Sequence, residues 1–152
     1  MDREKSIYNG SLMDNVRFYV ADIANGAVLK RIVLDHAIDV IVDLAWSFAD
    51  DPRKLFGEDI VGQINLMEAA GVGGVKRFLY TSTAGVYGLP TLQAVVEGQV
   101  CRPELARKPL YSVAKLAAEQ LGLAWGRQHG LPVTVLRFWW AFGDEIGGNH
   151  LP

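Results

Sequence analysis

Residues 76–88 read Lys-Arg-Phe-Leu-Tyr-Thr-Ser-Thr-Ala-Gly-Val-Tyr-Gly, and this stretch decides the fold class. The β-forming residues at 77–81 predict a strand that ends in three hydroxyl side chains, Thr81, Ser82 and Thr83. A long apolar segment at 54–70, followed by a glycine cluster, predicts a helix before this strand. The glycines and prolines at 85–107 predict a loop after it.

Strands and helices alternate on both sides of this stretch. Residues 16–20 and 39–45 predict two earlier strands with a helix at 27–37 between them. After the loop, residues 111–128 predict a helix and 132–138 a fourth strand. This order favours a parallel α/β sheet with right-handed crossovers, in which ligands bind beyond the carboxyl ends of the strands. The near-continuous apolar run at 39–45 predicts a strand that is buried on both faces.

Tyr111 and Lys115 lie four residues apart in the last predicted helix, so their side chains share one face. A free tyrosine has a pKa of about 10, and a nearby cation favours its phenolate. Lowering that pKa by ~3 units takes roughly 4 kcal/mol of differential stabilisation. The pair therefore suits a base that takes a proton from an alcohol. The apolar stripe that we expect to face the core consists of Val113, Ala117, Leu121 and Ala124.

Composition excludes several classes of function. The 152 residues carry a net charge of −2 with interspersed signs, which argues against nucleic acid as a partner. The most apolar stretch, 133–142, is short and contains Arg137, so we expect no membrane span. The polar start predicts no signal peptide, and the single cysteine, Cys101, is typical of the reducing cytoplasm. No histidine has the spacing of a metal ligand.

Together these motifs resemble the extended short-chain dehydrogenase/reductase family, the NAD-dependent epimerase/dehydratase group. The resemblance runs over residues 16–143. The segments that carry it are Val-Ala-Asp-Ile at 20–23, Asp-Leu-Ala-Trp at 43–46, Gly62 with Asn-Leu-Met-Glu-Ala-Ala at 65–70, residues 76–88, Tyr-Ser-Val-Ala-Lys at 111–115, and residues 137–143.

The resemblance implies a catalytic set of three residues. Thr83 would hydrogen-bond the substrate hydroxyl, Tyr111 would move its proton, and Lys115 would hold the ribose hydroxyls of the cofactor. The nicotinamide of NAD or NADP would carry the hydride, in oxidoreductase or isomerase chemistry on a substrate such as a nucleotide sugar.

The resemblance also assigns binding residues and partners. Residues implied along the cofactor are Asp22, Ile23, Leu44, Ala45, Trp46, Thr81, Ser82, Tyr111, Lys115 and Phe138. Those implied at the substrate are Thr83, Trp139 and Trp140. A homodimer through the two long helices, 54–70 and 111–128, is a further expectation.

Several readings stay open beside these assignments. Thr83 could merely close a turn. Asp22 could cap the following helix. Trp139 and Trp140 could pack in the core or in a pocket wall. We interpret Asp59, which stands where the family usually has Asn, as an ordinary charge near a helix start.

The family's Gly-x-x-Gly-x-x-Gly turn, which seats the pyrophosphate, does not occur in the sequence. We therefore expect a partial Rossmann-like domain at 1–143 that lacks its first strand–helix–strand unit. Residues 144–152 would begin a substrate region. We therefore expect this chain alone to bind the cofactor weakly or not at all. The alternative is a cofactor-incompetent interaction module, or a chain whose fold a partner chain completes.

Overall fold

A three-stranded parallel sheet forms the centre of the computed structural model, which describes residues 16–89 and 94–139. Its strands are β1 (Val40–Asp43), β2 (Arg77–Thr83) and β3 (Val133–Phe138), in the order β1-β2-β3. Asp43 pairs with Tyr80, and Thr83 pairs with Phe138, so the carboxyl ends of the strands share one edge. The predicted parallel α/β class is confirmed. Trp140 and the predicted region 144–152 lie outside the described residues.

Helices connect the strands in the predicted order. They are α1 (Gly26–Asp35), α2 (Pro52–Lys54), α3 (Ile60–Gly73) and α4 (Pro109–His129), with a π-helical turn at Leu55–Asp59 between α2 and α3. The Asn25 side chain caps α1 by accepting the Val28 N–H at 3.3 Å. Gly74 ends α3 in the left-handed region, at φ +66°. Short 3₁₀ turns at Ala84–Tyr87 and Pro103–Leu105 lie in the predicted loop.

The strand predicted at 16–20 is wrong. These residues form no β ladder, and the side chains of Phe18 and Val20 are 64% and 88% exposed. A strand needs a neighbouring backbone to satisfy its N–H and C=O groups, and none of the described strands pairs with this segment. Instead, Tyr19 and Arg17 contact the ring of His36 at the end of α1.

Burial of the 39–45 strand on both faces is also wrong. β1 is an edge of the described sheet, and Val40 and Val42 are 47% and 52% exposed. An apolar run therefore did not distinguish a central strand from an edge strand, because the run reports the composition of a strand and not its neighbours.

The core lies under β2, where Phe78 and Tyr80 are almost fully buried. Helix α4 packs on β2 and β3, and α3 packs between α4 and α1. The predicted apolar stripe of α4 is wrong in part, since Val113 and Ala124 are exposed whereas Leu121 packs against the core. The buried residues of α4 are Ser112, Ala114, Lys115, Ala118, Glu119, Gly122 and Gly126. Within the described part of the chain, no helix is long and apolar enough to cross a membrane.

Candidate active site

A cavity of ≈ 520 Å³, here called the Tyr111 cavity, opens beyond the carboxyl end of β2. Thr83, the last residue of β2, and Tyr111, in the first turn of α4, both line it. Trp139, which follows β3, lines it too, so three predicted site residues share one cavity. Further lining residues include Tyr87, Arg107, Lys108 and Ser112.

Thr83 is held by the turn that follows β2. Its Oγ1 accepts the backbone N–H of Gly85 at 3.2 Å. A side chain at Gly85 would place its Cβ 2.5 Å from the Ser112 Oγ, so only glycine allows this approach of the turn to α4. The turn-closing interpretation of Thr83 is therefore correct, and it leaves the hydroxyl hydrogen free to donate elsewhere.

A second cavity of ≈ 610 Å³, here called the Asp22 cavity, contains four of the predicted cofactor residues. These are Asp22, Ile23, Ala45 and Trp46. The Asp22 carboxylate accepts the Ala24 N–H at 2.9 Å, whereas Asn25 is the cap of α1. Asp22 thus shapes the turn before the helix and does not cap it.

Apart from Tyr111, the remaining predicted cofactor residues line neither of these two cavities. Leu44 lies in a smaller cavity of ≈ 300 Å³ with Ile23 and Ala45. Thr81 and Ser82 are buried, and their hydroxyls bond inward to the Asp43 carbonyl and the Glu119 carboxylate. Phe138 is 55% exposed.

Lys115 is buried away from the Tyr111 hydroxyl. Its ammonium donates to the Thr81 carbonyl at 2.7 Å and lies 4.0 Å from the centre of the Trp46 ring. Burial lowers the pKa of Lys115 to about 8, opposed by the charges of Asp43, Asp59 and Glu119. Burial also raises the pKa of Asp43 to about 6. Two ionisable groups of opposite sign thus share a poorly solvated region beneath the site.

Tyr111 is covered by two aromatic side chains. The Phe48 ring stacks on it at 5.9 Å between centroids, with 17° between the planes. The Trp46 ring meets it edge-on at 6.4 Å and 90°. Burial raises the pKa of Tyr111 to about 12, and the Asp59 charge adds to the effect. The expected lowering of this pKa by Lys115 is therefore wrong for this conformation, because the ammonium is bound to Thr81 and Trp46.

Asp59 is not the ordinary surface charge that we expected. It is 4% exposed and accepts both the N–H of Ser47, at 3.0 Å, and the Ser47 hydroxyl, at 2.6 Å. The π-helical turn before α3 brings its side chain to the loop after β1. Neither Ser47 nor Phe48 was singled out in the sequence.

A buried network behind β2 was also missed. The Glu119 carboxylate, 1% exposed, accepts the Ser82 hydroxyl and binds Arg137 through Nε and Nη2 at 2.7–3.2 Å. Arg137 Nη1 donates to the Tyr87 hydroxyl at 2.8 Å. The bond with Glu119 raises the pKa of Arg137. The spacing of Tyr111, Lys115 and Glu119, four residues each, was the signal that could have revealed it.

The arrangement defines a Rossmann-like domain in which a hydroxyl, a phenol and an ammonium come from β2 and α4. The sequence profile of the NAD dependent epimerase/dehydratase family matches residues 1–151. The chain belongs to that family.

Relatives of known activity are similar over most of this chain. The trifunctional UDP-glucose 4,6-dehydratase/UDP-4-keto-6-deoxy-D-glucose 3,5-epimerase/UDP-4-keto-L-rhamnose-reductase of Arabidopsis thaliana is 34% identical over 147 residues, 91% of this chain and 21% of that protein. The UDP-glucose 4-epimerase of Lacticaseibacillus casei is 32% identical over 146 residues, 90% of this chain and 43% of that protein. The chain thus spans less than half the length of these relatives.

A solved structure also matches most of this chain over less than half of its own length. The UDP-glucose 4-epimerase of Brucella ovis, in complex with NAD, superposes with a TM-score of 0.72 at 25% identity. The match covers 88% of this chain and 41% of that one.

The described residues fit a dinucleotide at one end only. The Asp22 cavity has room for an adenine between apolar side chains such as Ile23 and polar ones such as Asp22. At the other end, the rings of Phe48 and Trp46 already contact Tyr111 and Lys115, the residues that the resemblance assigns to the nicotinamide end. Among residues 16–89 and 94–139, no group of three His, Cys, Asp or Glu side chains is placed to bind a metal.

Proposed function

We propose that this chain carries the reacting end of an NAD-dependent site for nucleotide-sugar epimerisation. The observation that carries the proposal is the common cavity of Thr83 and Tyr111, with Lys115 one helical turn away. The names of the relatives, UDP-glucose 4-epimerase above all, support a UDP-sugar as the substrate class.

Each residue of the set has a defined task in this proposal. The Tyr111 oxygen takes the proton of a substrate hydroxyl and later returns it, as general acid–base catalysis requires. The Thr83 hydroxyl donates to the same substrate oxygen and orients it. Lys115 holds the ribose hydroxyls and favours the phenolate once its ammonium turns toward Tyr111. When bound, NAD supplies the acceptor and donor of the hydride.

The rim of the Tyr111 cavity suits an anionic substrate. Arg107 and Lys108 line it beside Tyr111, and both are exposed. Exposed cations at this rim can bind the diphosphate of a nucleotide sugar. Trp139 stacks on Tyr87 at 6.3 Å and offers an aromatic face to a sugar ring.

A second candidate is a cofactor-incompetent domain that acts as an interaction module or needs a partner chain. Two observations favour it. The Phe48 ring covers Tyr111, where the nicotinamide would bind. The edge of β1 that faces away from β2 pairs with none of the described strands. The homodimer through the two long helices, which the resemblance implies, also stays a proposal.

Conversion of UDP-glucose to UDP-galactose by the full chain with added NAD tests the first candidate. We expect slow conversion that Tyr111→Phe abolishes, because the phenol alone moves the proton. Tyr19→Phe removes a hydroxyl far from the cavity and should leave the rate unchanged. Conversion that survives Tyr111→Phe contradicts the catalytic assignment. A cooperative thermal melt with no conversion and no NADH binding favours the second candidate.

A further inference from the structure

Asp59, the last residue of the π-helical turn before α3, binds the loop after β1 at Ser47. Its two carboxylate oxygens accept two hydrogen bonds from one residue, Ser47. The Ser47 hydroxyl in turn accepts the Ala49 N–H at 3.3 Å. Hydrogen bonds to a buried carboxylate are stronger than those between neutral groups, so this contact fixes the loop at Ser47.

The residues on either side of Ser47 are the two aromatic residues that contact Tyr111. Trp46 is 9% exposed and lies under the Lys115 ammonium, 4.0 Å from it. Phe48 stacks on Tyr111 although its own ring is 66% exposed. Its backbone is in the left-handed region, at φ +55°, which an aromatic residue adopts only when its surroundings impose it.

We propose that Asp59 is a positioning residue of the Tyr111–Lys115 site: by holding Ser47, it holds Trp46 against Lys115 and Phe48 against Tyr111. The inference rests on the proposed function in so far as Tyr111 and Lys115 form a site. Its geometry does not depend on any bound molecule.

As a consequence, aromatic rings cover Tyr111 and Lys115. Asp59, Ser47 and Trp46 all line the Asp22 cavity, so the space open to a dinucleotide ends at the residues that cover Tyr111. A nicotinamide that approaches the stacked face of Tyr111 from the Asp22 cavity must displace the Phe48 ring. Asp59 thereby sets how readily the site opens.

Contacts between the Phe48 and Tyr111 rings test the proposal directly. Nuclear Overhauser effects between the two rings, in a chain with ¹³C-labelled Phe and Tyr, report the stacking without any ligand. Asp59→Asn keeps an acceptor for the Ser47 N–H and gains a donor to its hydroxyl, so it should preserve the contacts. Asp59→Ala removes both bonds and should abolish them. Glu58→Ala, at the exposed neighbouring position, is the matched control and should change nothing.

Ser47→Ala covers the case in which Asp59→Ala does not fold. Ser47 is exposed, and the substitution removes only the hydroxyl bond, so a folded chain with weakened ring contacts is expected. Ring contacts that persist at full intensity in both Ser47→Ala and Asp59→Ala would overturn the proposal. Their loss in Asp59→Ala together with their retention in Asp59→Asn supports it.

A titration with NADH separates this inference from the proposed function. Phe48→Ala removes the covering ring, so we expect NADH to bind roughly three- to tenfold more tightly than to the wild-type chain. If neither chain binds NADH while the ring contacts respond as expected, the positioning role stands and the proposed function fails. If Phe48→Ala binds NADH no more tightly than a wild-type chain that does bind, the covering role of Phe48 is wrong.

Discussion

Asp43 is a buried carboxyl group whose protonation affects the stability of the fold. Its pKa is about 6 in the folded chain against an ordinary value of 3.8, because burial penalises the charge. The folded state therefore binds this proton more tightly than the unfolded state. Its stabilising contribution is fully present below pH 4 and is lost as the pH rises through about 6.

Asp43→Asn should remove this pH dependence. The free energy of unfolding of the wild-type chain, relative to that of the variant, should fall by roughly 2.5 kcal/mol between pH 4 and pH 8. Urea unfolding at several pH values measures the difference. The Asn side chain retains the acceptor for the Ala45 N–H, so the turn after β1 is preserved. A difference that stays constant over this range would show that folding does not raise the pKa of Asp43.

Breaking the buried ion pair of Glu119 and Arg137 should destabilise the fold far more than breaking a surface pair. Glu119→Ala leaves the guanidinium without its bidentate partner and the Ser82 hydroxyl without its acceptor. We expect a loss of about 3 kcal/mol in the free energy of unfolding. Glu68→Ala breaks the half-exposed pair with Lys30 and should cost under about 1 kcal/mol. Equal losses in the two variants would contradict the importance of burial.

At the scale of elements, Gly62 allows α3 to approach the segment that carries Asp22. A Cβ at Gly62 would lie 2.3 Å from the Ile23 side chain, whereas a Cβ at Gly71 in the same helix meets nothing within 4 Å. Gly62→Ala should therefore destabilise the chain by about 1–3 kcal/mol. Gly71→Ala should stabilise it by roughly 0.5–1 kcal/mol. Thermal unfolding of the pair checks this, and a neutral Gly62→Ala would mean that Ile23 moves freely.

The elements show what the sequence could predict. The helices and the strands β2 and β3 follow from local patterns, because apolar periodicity and glycine stops act within one segment. The segment at 16–20 has equally strong β-forming residues but no described strand beside it. The face of α4 was misjudged because Lys115 and Glu119 are polar and yet buried. Only the hydrogen bonds that satisfy them, which come from distant segments, reveal that orientation.

The site shows the same contrast between local sequence patterns and contacts from distant segments. Thr83 and Tyr111 were predictable because each belongs to a recognisable motif, and the sheet topology brings their segments together. Phe48 and Ser47 were not predictable, since the irregular loop at 44–51 after β1 carries no periodicity. The covering of Tyr111 depends on Asp59, whose role is visible only in three dimensions.

For the molecule as a whole, the side chains of β2 are more deeply buried than those of β1 at the edge of the described sheet. We therefore expect substitutions in β2 to cost more stability than substitutions in β1. Phe78 in β2 is fully buried, so Phe78→Ala should cost about 3–5 kcal/mol. Val42 in β1 is 52% exposed, and Val42→Lys should change the free energy of unfolding by less than about 1 kcal/mol. Urea unfolding measures both. A large, concentration-dependent loss in Val42→Lys would show that another chain covers this edge in solution.

Binding of NADH to the full chain, measured by calorimetric titration, tests the central claim that this chain carries the Tyr111–Lys115 site of its family. We predict saturable binding in the millimolar range, about −4 kcal/mol, because the aromatic cover must open first. Lys115→Met should abolish it, since the proposed function assigns the ribose hydroxyls of the cofactor to this ammonium. Binding that Lys115→Met leaves unchanged, or no binding at any NADH concentration, would contradict the claim.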